Sequence, residues 1–137
     1  MRYYPIGLLI SLLSFALPAQ ALSLWHSNTV WAGQGQCAAT LTFDSGLDKI
    51  EELELLVSAV SAEGESIELG IIQLETFGES SAERYSSALL EHELLCDEET
   101  TLFINQAAAI INGEYLDLIQ MRQLEARKFK PFFIDMY

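Results

Sequence analysis

The chain has 137 residues, of which 20 are acidic and 7 are basic, and its formal net charge is −13. This length allows one domain at most, and an apolar content of 50% is enough to bury a core, so the charge does not indicate disorder. So acidic a surface repels phosphate backbones and anionic membrane faces. The composition therefore predicts a small globular protein that binds no nucleic acid.

The first 21 residues have the pattern of a secretory signal peptide. Arg2 is followed by an apolar stretch at residues 6–17, by Pro18 and by the small residues Ala19 and Ala21. At 12 residues the stretch is shorter than the roughly 20 needed to span a bilayer, so we expect no stable membrane anchor. Cleavage after Ala21 leaves residues 22–137 as a single exported domain, secreted or periplasmic, with a net charge of −14.

Cys37 and Cys96 are the two cysteines of the chain. In an oxidising compartment such a pair predicts a disulfide, which here closes a loop of about 60 residues. The alternatives are two free thiols or a metal site. Metal is disfavoured because His26 and His92 are the histidines that could join the cysteines, and the spacing is not that of a zinc cluster.

The first predicted elements are short strands. Residues 36–43 alternate between an apolar face, which includes Cys37, and a mostly polar face. Residues 33–36, which include Gly33 and Gly35, indicate a turn that leads into this strand. A second turn is predicted at 44–47. Residues 52–60 follow as a strand, because their leucines alternate, although Glu and Leu would also permit a helix.

The middle of the chain continues this pattern. Ile67, Leu69, Ile71 and Gln73 predict a strand in which Gly70 marks a bulge. A polar loop at 78–83 leads to a strand candidate at 85–96, for which a helix is the alternative, and residues 100–106 predict another strand.

The last third begins with the strongest turn signal of the sequence. Asn112-Gly113 predicts a tight hairpin, and residues 115–127 are interpreted as a strand plus a linker. Residues 129–136 predict a terminal strand whose Pro131 belongs at an edge or near the strand start. Strands separated by turns at roughly ten-residue intervals predict an all-β, antiparallel β-sandwich.

No catalytic or metal-binding constellation is recognisable. Residues 92–96 differ from the zinc-protease helix motif because Cys96 occupies the place of the second histidine. The acidic run at 97–99 lacks the turn-forming glycine or asparagine of a calcium loop, and the chain has no Gly-x-Ser-x-Gly elbow. We therefore expect no enzyme activity, no metal and no cofactor.

Aromatic and basic residues near the two ends of the chain form the candidate interaction surface. Terminal strands could bring them together, and exposed aromatics would be good interface anchors, although core packing and a solvated strand edge are the alternatives. The candidates are Trp25, Trp31, Arg127, Lys128, Lys130 and Phe132.

Several stretches resemble the interleukin receptor mimic protein (IrmA) family of pathogenic enterobacteria. They lie at residues 22–27, 33–39, 42–46, 55–60 and 129–132. The resemblance implies an exported sandwich of fibronectin type III or immunoglobulin-like type, a homodimer formed by exchange of terminal strands, and binding to host cytokine receptors such as those for interleukins 2, 4 and 10. It implies no catalytic residue.

The sequence thus predicts an exported, non-enzymatic factor that binds a protein partner. A periplasmic chaperone or assembly factor for fimbrial or amyloid subunits is the alternative, because small sandwiches also serve that role.

Overall fold

The computed structural model describes residues 22–127 and the backbone of residues 133–136. The described residues form nine strands and two short 3-10 helices, at Ser81–Glu83 and Glu93–Cys96. The strands are β1 (Leu22–Gly33), β2 (Gln36–Asp44), β3 (Ile50–Val60), β4 (Ser66–Leu74), β5 (Tyr85–His92), β6 (Thr101–Ile111), β7 (Glu114–Asp117), β8 (Leu124–Ala126) and β9 (Phe133–Met136). No helix in this part of the chain has the length and apolar character needed to cross a membrane.

The strands form two sheets. One has the order β5-β2-β1-β8, and the other has the order β4-β3-β6-β7, with β9 also paired to β6. Strands β1 to β7 pair antiparallel, whereas β8 lies parallel to β1 and β9 parallel to β6. The predicted all-β sandwich is confirmed. It is of the fibronectin type III-like kind, extended by one short parallel strand on each sheet.

The core lies between the two sheets and is built by alternation. Leu41 and Phe43 of β2 are fully buried, as are Leu55 and Val57 of β3, and all four belong to one hydrophobic cluster. The period of two leaves Glu54, between the buried Leu53 and Leu55, exposed on the outer face. This confirms the strand at 52–60 against a helix, which would have scattered these leucines around its circumference.

The predicted disulfide is present between Cys37 and Cys96, whose Cα atoms are 5.2 Å apart. Cys37 is buried on β2, and Cys96 ends the second 3-10 helix. The strand predicted at 85–96 is wrong beyond His92, because the His92 Nδ1 accepts a hydrogen bond from the Leu94 backbone N–H at 3.0 Å and the chain turns. The turn brings Cys96 within bonding reach of β2.

The bulge predicted at Gly70 is confirmed, and it changes which side chains of β4 face the core. Gly70 has φ +131°, and the register of β4 on β3 shifts beside it. One extra residue reverses the alternation, so Ile72 is buried and Ile71 is 59% exposed. The expectation that Ile71 continues the face of Leu69 is therefore wrong.

The turn predicted at 33–36 and the hairpin predicted at Asn112-Gly113 are confirmed. Gly33 pairs with Gln36 at the β1–β2 turn, and Ile111 pairs with Glu114 across Asn112-Gly113, whose φ angles are +51° and +85°. Positive φ at both central residues identifies the type I′ turn that this dipeptide favours. Strand β6 is longer than predicted.

The ends of the chain are described in part. Residues 115–127 contain the end of β7, a turn and β8, so the strand-plus-linker interpretation holds for the first part and misses the second strand, β8. The predicted terminal strand is confirmed over residues 133–136. Pro131 and the predicted signal peptide at 1–21 lie outside the described residues.

Candidate interaction face

The outer face of the four-stranded sheet carries a continuous row of cationic and aromatic side chains. We call it the cation–aromatic row, and it consists of Arg127, Trp25, Tyr85 and Arg84 in that order across the sheet. The guanidinium carbon of Arg127 lies 5.3 Å from the centre of the Trp25 ring. The Trp25 and Tyr85 rings meet edge to face, with centres 6.3 Å apart at 79°. Arg84 stacks on Tyr85 at 5.3 Å.

The strands position this row through their register. Trp25 on β1 pairs with Thr42 on β2, and Tyr85 on β5 pairs with Asp44 on β2. Strands β1 and β5 are two strand spacings apart, about 9.5 Å, so the two rings have to reach across β2 to meet. Thr42 leaves room because its side chain is short, and its hydroxyl donates to Ser27 Oγ at 2.9 Å.

A buried carboxylate holds one end of the row in place. Arg84 donates from Nε to Asp44 Oδ1 at 2.8 Å and from Nη2 to Oδ2 at 3.0 Å. The Asp44 side chain is 6% exposed, and its Oδ1 also accepts from the Gly46 N–H at 2.9 Å. The hydrogen bonds from Arg84 hold the pKa of Asp44 below its usual value, against the opposing effect of burial. Arg84 is thereby fixed as a cation in one orientation beside Tyr85.

The opposite end of the row is held by the backbone. The Arg127 N–H donates to the Leu24 carbonyl at 2.9 Å, which continues the pairing of β8 with β1. Among residues 22–127 no carboxylate forms an ion pair with Arg127. One end of the row therefore carries an arginine paired with a carboxylate, and the other end carries an arginine without an ion pair among residues 22–127.

Comparison with known proteins identifies the family. A family model described as interleukin receptor mimic protein A, IrmA, matches residues 22–126. The chain belongs to the IrmA family. The solved structure of IrmA from Escherichia coli is similar to this chain with a TM-score of 0.62 and 24% identity, over 80% of this chain and 93% of that one. Among curated proteins none matches the sequence.

The match to the Escherichia coli structure supports the fold alone, at this identity. The family name describes a receptor mimic and not an enzyme. The resemblance to the IrmA family inferred from the sequence is thus confirmed, and the family description points to a protein partner.

The structure brings together two of the candidate interface residues and separates a third. Trp25 and Arg127 are in contact in the row. Trp31 is 73% exposed and pairs with Cys37 at the other end of β1, about 20 Å from Trp25 at the usual rise of a strand. Lys128, Lys130 and Phe132 lie outside the described residues.

Trp31 borders a separate cleft near the disulfide. The cleft has a volume of about 350 Å³ and is lined by residues of β1 together with Leu95, Cys96 and Glu98. His26 lies at its base, buried, with Nε2 bonded to the Thr29 hydroxyl, and burial lowers the pKa of the imidazole. His26 directly follows Trp25 in β1, whereas Trp31 and the disulfide lie at the far end of that strand.

Sequence reasoning missed three members of this site, Asp44, Arg84 and Tyr85. Residues 44–99 contain 16 acidic residues, with Lys49 and Arg84 as the basic ones, so Arg84 was a visible exception in the sequence. A lone arginine directly before an aromatic residue at a strand start is the signal that could have found it. Trp25, which contacts Tyr85, lies 60 positions before it in the chain, and no local pattern joins these two residues.

Charge divides the two outer faces. Strands β3, β4 and β7 carry the acidic residues Glu51, Glu52, Glu54, Glu68, Glu114 and Asp117. No basic residue lies on these strands or on β6. The four-stranded sheet carries the acids Asp44, Glu91 and Glu125, against Arg84 and Arg127 beside it, and is nearly neutral. An acidic partner surface is therefore repelled by the five-stranded sheet and tolerated by the four-stranded one.

Proposed function

We propose that this IrmA family member is exported after cleavage of residues 1–21 and binds a host interleukin receptor or cytokine without catalysing a reaction. The contact surface is the outer face of the four-stranded sheet, centred on the cation–aromatic row. The family description supports a partner of this class. The disulfide is typical of proteins that fold in an oxidising compartment, which supports export.

The observation that carries the proposal is the fixed arrangement of Arg84, Tyr85, Trp25 and Arg127. Tyrosine, tryptophan and arginine dominate the energetic centres of protein interfaces. Binding normally lowers the conformational freedom of such side chains, and this loss opposes association. Because the row is already ordered by Asp44 and by stacking, little freedom remains to be lost. The row therefore has the composition and the order expected of an interface centre.

Binding to purified receptor ectodomains tests this proposal. The chain is immobilised without its first 21 residues, and the ectodomains of the interleukin 2, 4 and 10 receptors are passed over it at physiological salt. Tyr85→Ala is compared with Tyr115→Ala, because Tyr115 is also an exposed tyrosine and lies on the other sheet. Arg127→Ala is compared with Arg122→Ala, which removes an arginine outside the row.

We expect saturable binding to at least one ectodomain. Removal of a side chain at the centre of an interface weakens the binding free energy by about 2 kcal/mol or more. For Tyr85→Ala this corresponds to a roughly 30-fold weaker affinity. Tyr115→Ala and Arg122→Ala should change the affinity less than about threefold, since contacts outside an interface contribute little. Absence of saturable binding to all the ectodomains refutes the host target, and equal effects of Tyr85→Ala and Tyr115→Ala refute the assigned surface.

The second candidate function is a periplasmic chaperone or assembly factor, and one observation favours it. Strand β5 is the end strand of its sheet and pairs with β2 over eight consecutive residues without a bulge. Such an edge, without lysine or proline, is suited to adding a strand from another chain. Fractionation of the producing cells separates the two functions. A host-directed factor should be found in cleared medium, whereas a chaperone should stay in the periplasm and delay fibre formation at substoichiometric ratios.

We also propose that the protein forms a homodimer by exchange of terminal strands. Strand β8 pairs with β1 over three residues and β9 pairs with β6 over four, and both pairings are parallel. Such short terminal pairings can form equally well with a second copy, so exchange requires no new contacts. Light scattering should give twice the mass of residues 22–137, and a monomer at micromolar concentration contradicts the exchange.

A further inference from the structure

The outer face of the five-stranded sheet contains an open groove that the proposed function does not use. Its volume is about 350 Å³. We call it the acidic groove. Residues of four neighbouring strands line it, among them Glu54, Leu56, Ile71, Ala108, Tyr115 and Asp117.

The centre of the groove is a notch between two carboxylates. Glu54 on β3 pairs with Ala108 on β6, and Ala108 pairs with Asp117 on β7, so the three residues form one row across the sheet. The outer strands of this row are two spacings apart, about 9.5 Å. Because the side chain of Ala108 is a methyl group, the space between the carboxylates stays open above it.

The sides of the groove are apolar. Ile71 on β4 is 59% exposed, and Tyr115 on β7 is 72% exposed. Ile71 pairs with Leu56, which is half-buried, whereas Tyr115 pairs with Ile110. The two exposed side chains therefore lie at diagonally opposite ends of the groove, with the row of Glu54, Ala108 and Asp117 between them. Ile71 belongs to this surface because the Gly70 bulge turns it away from the core.

The charge of the groove is not balanced within the described part of the chain. Lys49 pairs with Glu51 and Glu79, and Arg84 pairs with Asp44. Among residues 22–127 no cation lies within ion-pair distance of Glu54 or Asp117. Asp117 is held in place because its Oδ1 accepts from the Ile119 and Gln120 N–H groups, both at 3.1 Å.

We propose that the acidic groove binds a cationic amphipathic helix of a second protein. A lysine or arginine of the helix enters the notch above Ala108, between Glu54 and Asp117, where the Tyr115 ring can also contact the cation. The apolar residues of the helix pack on Ile71 and Leu56. This ligand lies on the opposite face of the sandwich from the cation–aromatic row.

Peptide binding to the chain without residues 1–21 tests the inference. The probe is an 18-residue, dye-labelled peptide that forms a helix with Leu on one face and Lys on the opposite face. Its fluorescence anisotropy is measured at 50 and 300 mM NaCl. Control peptides carry Glu in place of Lys, or the same residues in a scrambled order. The variants are Ala108→Leu, which fills the notch, and Glu54→Gln with Asp117→Asn, which removes its charge.

Matched controls lie on the other sheet. Ser87→Leu adds a similar outward side chain to β5, and Glu91→Gln removes a charge there. We expect saturable binding of the Lys peptide that weakens at least tenfold at the higher salt, since paired surface charges are screened. Ala108→Leu and the double variant should weaken it at least tenfold, and Ser87→Leu, Glu91→Gln and Tyr85→Ala should change it less than threefold. Tyr115→Ala replaces Ala108→Leu if the latter melts below the working temperature.

Four results would overturn the inference. The first three are absence of saturable binding, equal weakening by Glu91→Gln and by the groove variants, and equal binding of the scrambled peptide. Self-association that Ala108→Leu abolishes, without peptide binding, assigns the groove to a second copy and overturns it too. Because Tyr85→Ala tests the row and Ala108→Leu tests the groove, failure of one proposal is distinguishable from failure of the other.

Discussion

Removal of the disulfide should reduce the stability of this domain by a large and calculable amount. The bond joins residues 59 positions apart, Cys37 on β2 and Cys96 beyond β5. Closing a loop of that length lowers the entropy of the unfolded chain, and the chain-entropy model gives about 4 kcal/mol. The entropy of unfolding of roughly 100 residues is about 0.2 kcal/mol/K, so the thermal midpoint should fall by roughly 20 °C.

The folded structure should survive this loss. Strand β5 keeps its eight register pairs with β2 whether or not the sulfurs are joined. Cys37 is one small member of a large core cluster. Far-UV circular dichroism of Cys37→Ala/Cys96→Ala at 25 °C should therefore resemble that of the native protein. The free energy of unfolding is measured by urea titration, with reduced native protein as a second sample that lacks the bond but keeps both residues.

The two samples separate the bond from the substitutions. If the unfolded-state argument holds, reduction and double substitution should lower the free energy of unfolding by similar amounts, about 4 kcal/mol. A loss below about 1 kcal/mol in both samples refutes the reasoning, because it means that the unfolded chain is already constrained without the bond. A large loss in the double variant alone would indicate that packing at Cys37 matters more than the cross-link.

Two further predictions concern buried residues. Because burial lowers the pKa of His26, the unfolded state binds a proton more readily, so stability should fall as the pH drops through the unfolded value of about 6.5. Urea midpoints between pH 7.5 and 5.5 should show this, and His26→Gln should flatten the dependence; an unchanged slope contradicts the assignment. Gly78→Ala should destabilise by more than about 3 kcal/mol, because Gly78 has φ +93° and a Cβ there would overlap the Asp48 carbonyl oxygen and Ser45. Gly35→Ala, at φ +77° with nothing within 4 Å, should cost only about 1 kcal/mol, and equal melting temperatures for the two variants would refute the clash.

Local patterns predicted the elements whose geometry is set locally. The Leu53–Ala59 alternation specifies a strand because each inward side chain is buried, and Asn112-Gly113 specifies a tight turn because both residues tolerate positive φ. The alternation pattern does not predict β1, because the pattern is broken in the middle of this strand. Four consecutive polar residues at 26–29 interrupt the alternation, and the register on β2 shifts there, between His26 and Asn28.

The candidate surfaces depend on distant pairings that a single sequence does not reveal. Trp25 meets Tyr85 because β1 and β5 lie on either side of β2. The chain reaches β5 only after it has passed through β3 and β4 of the other sheet. Ile71 faces solvent because one bulge reverses the alternation of β4. Composition did indicate the charge division, since residues 44–99 contain 16 acidic residues, but only the fold places Glu54 and Asp117 on either side of Ala108.

The two outer faces point in opposite directions, and this makes their roles separable. Aligned sheets of a sandwich pack about 10 Å apart, and a ligand on one outer face does not reach the other. The sheet face that carries the row is nearly neutral, so its binding should depend weakly on salt, whereas the acidic groove should lose affinity steeply as salt rises. A single protein titrated with both ligands should bind them independently. If one ligand displaces the other, the two surfaces are coupled through the core or the assignment of one of them is wrong.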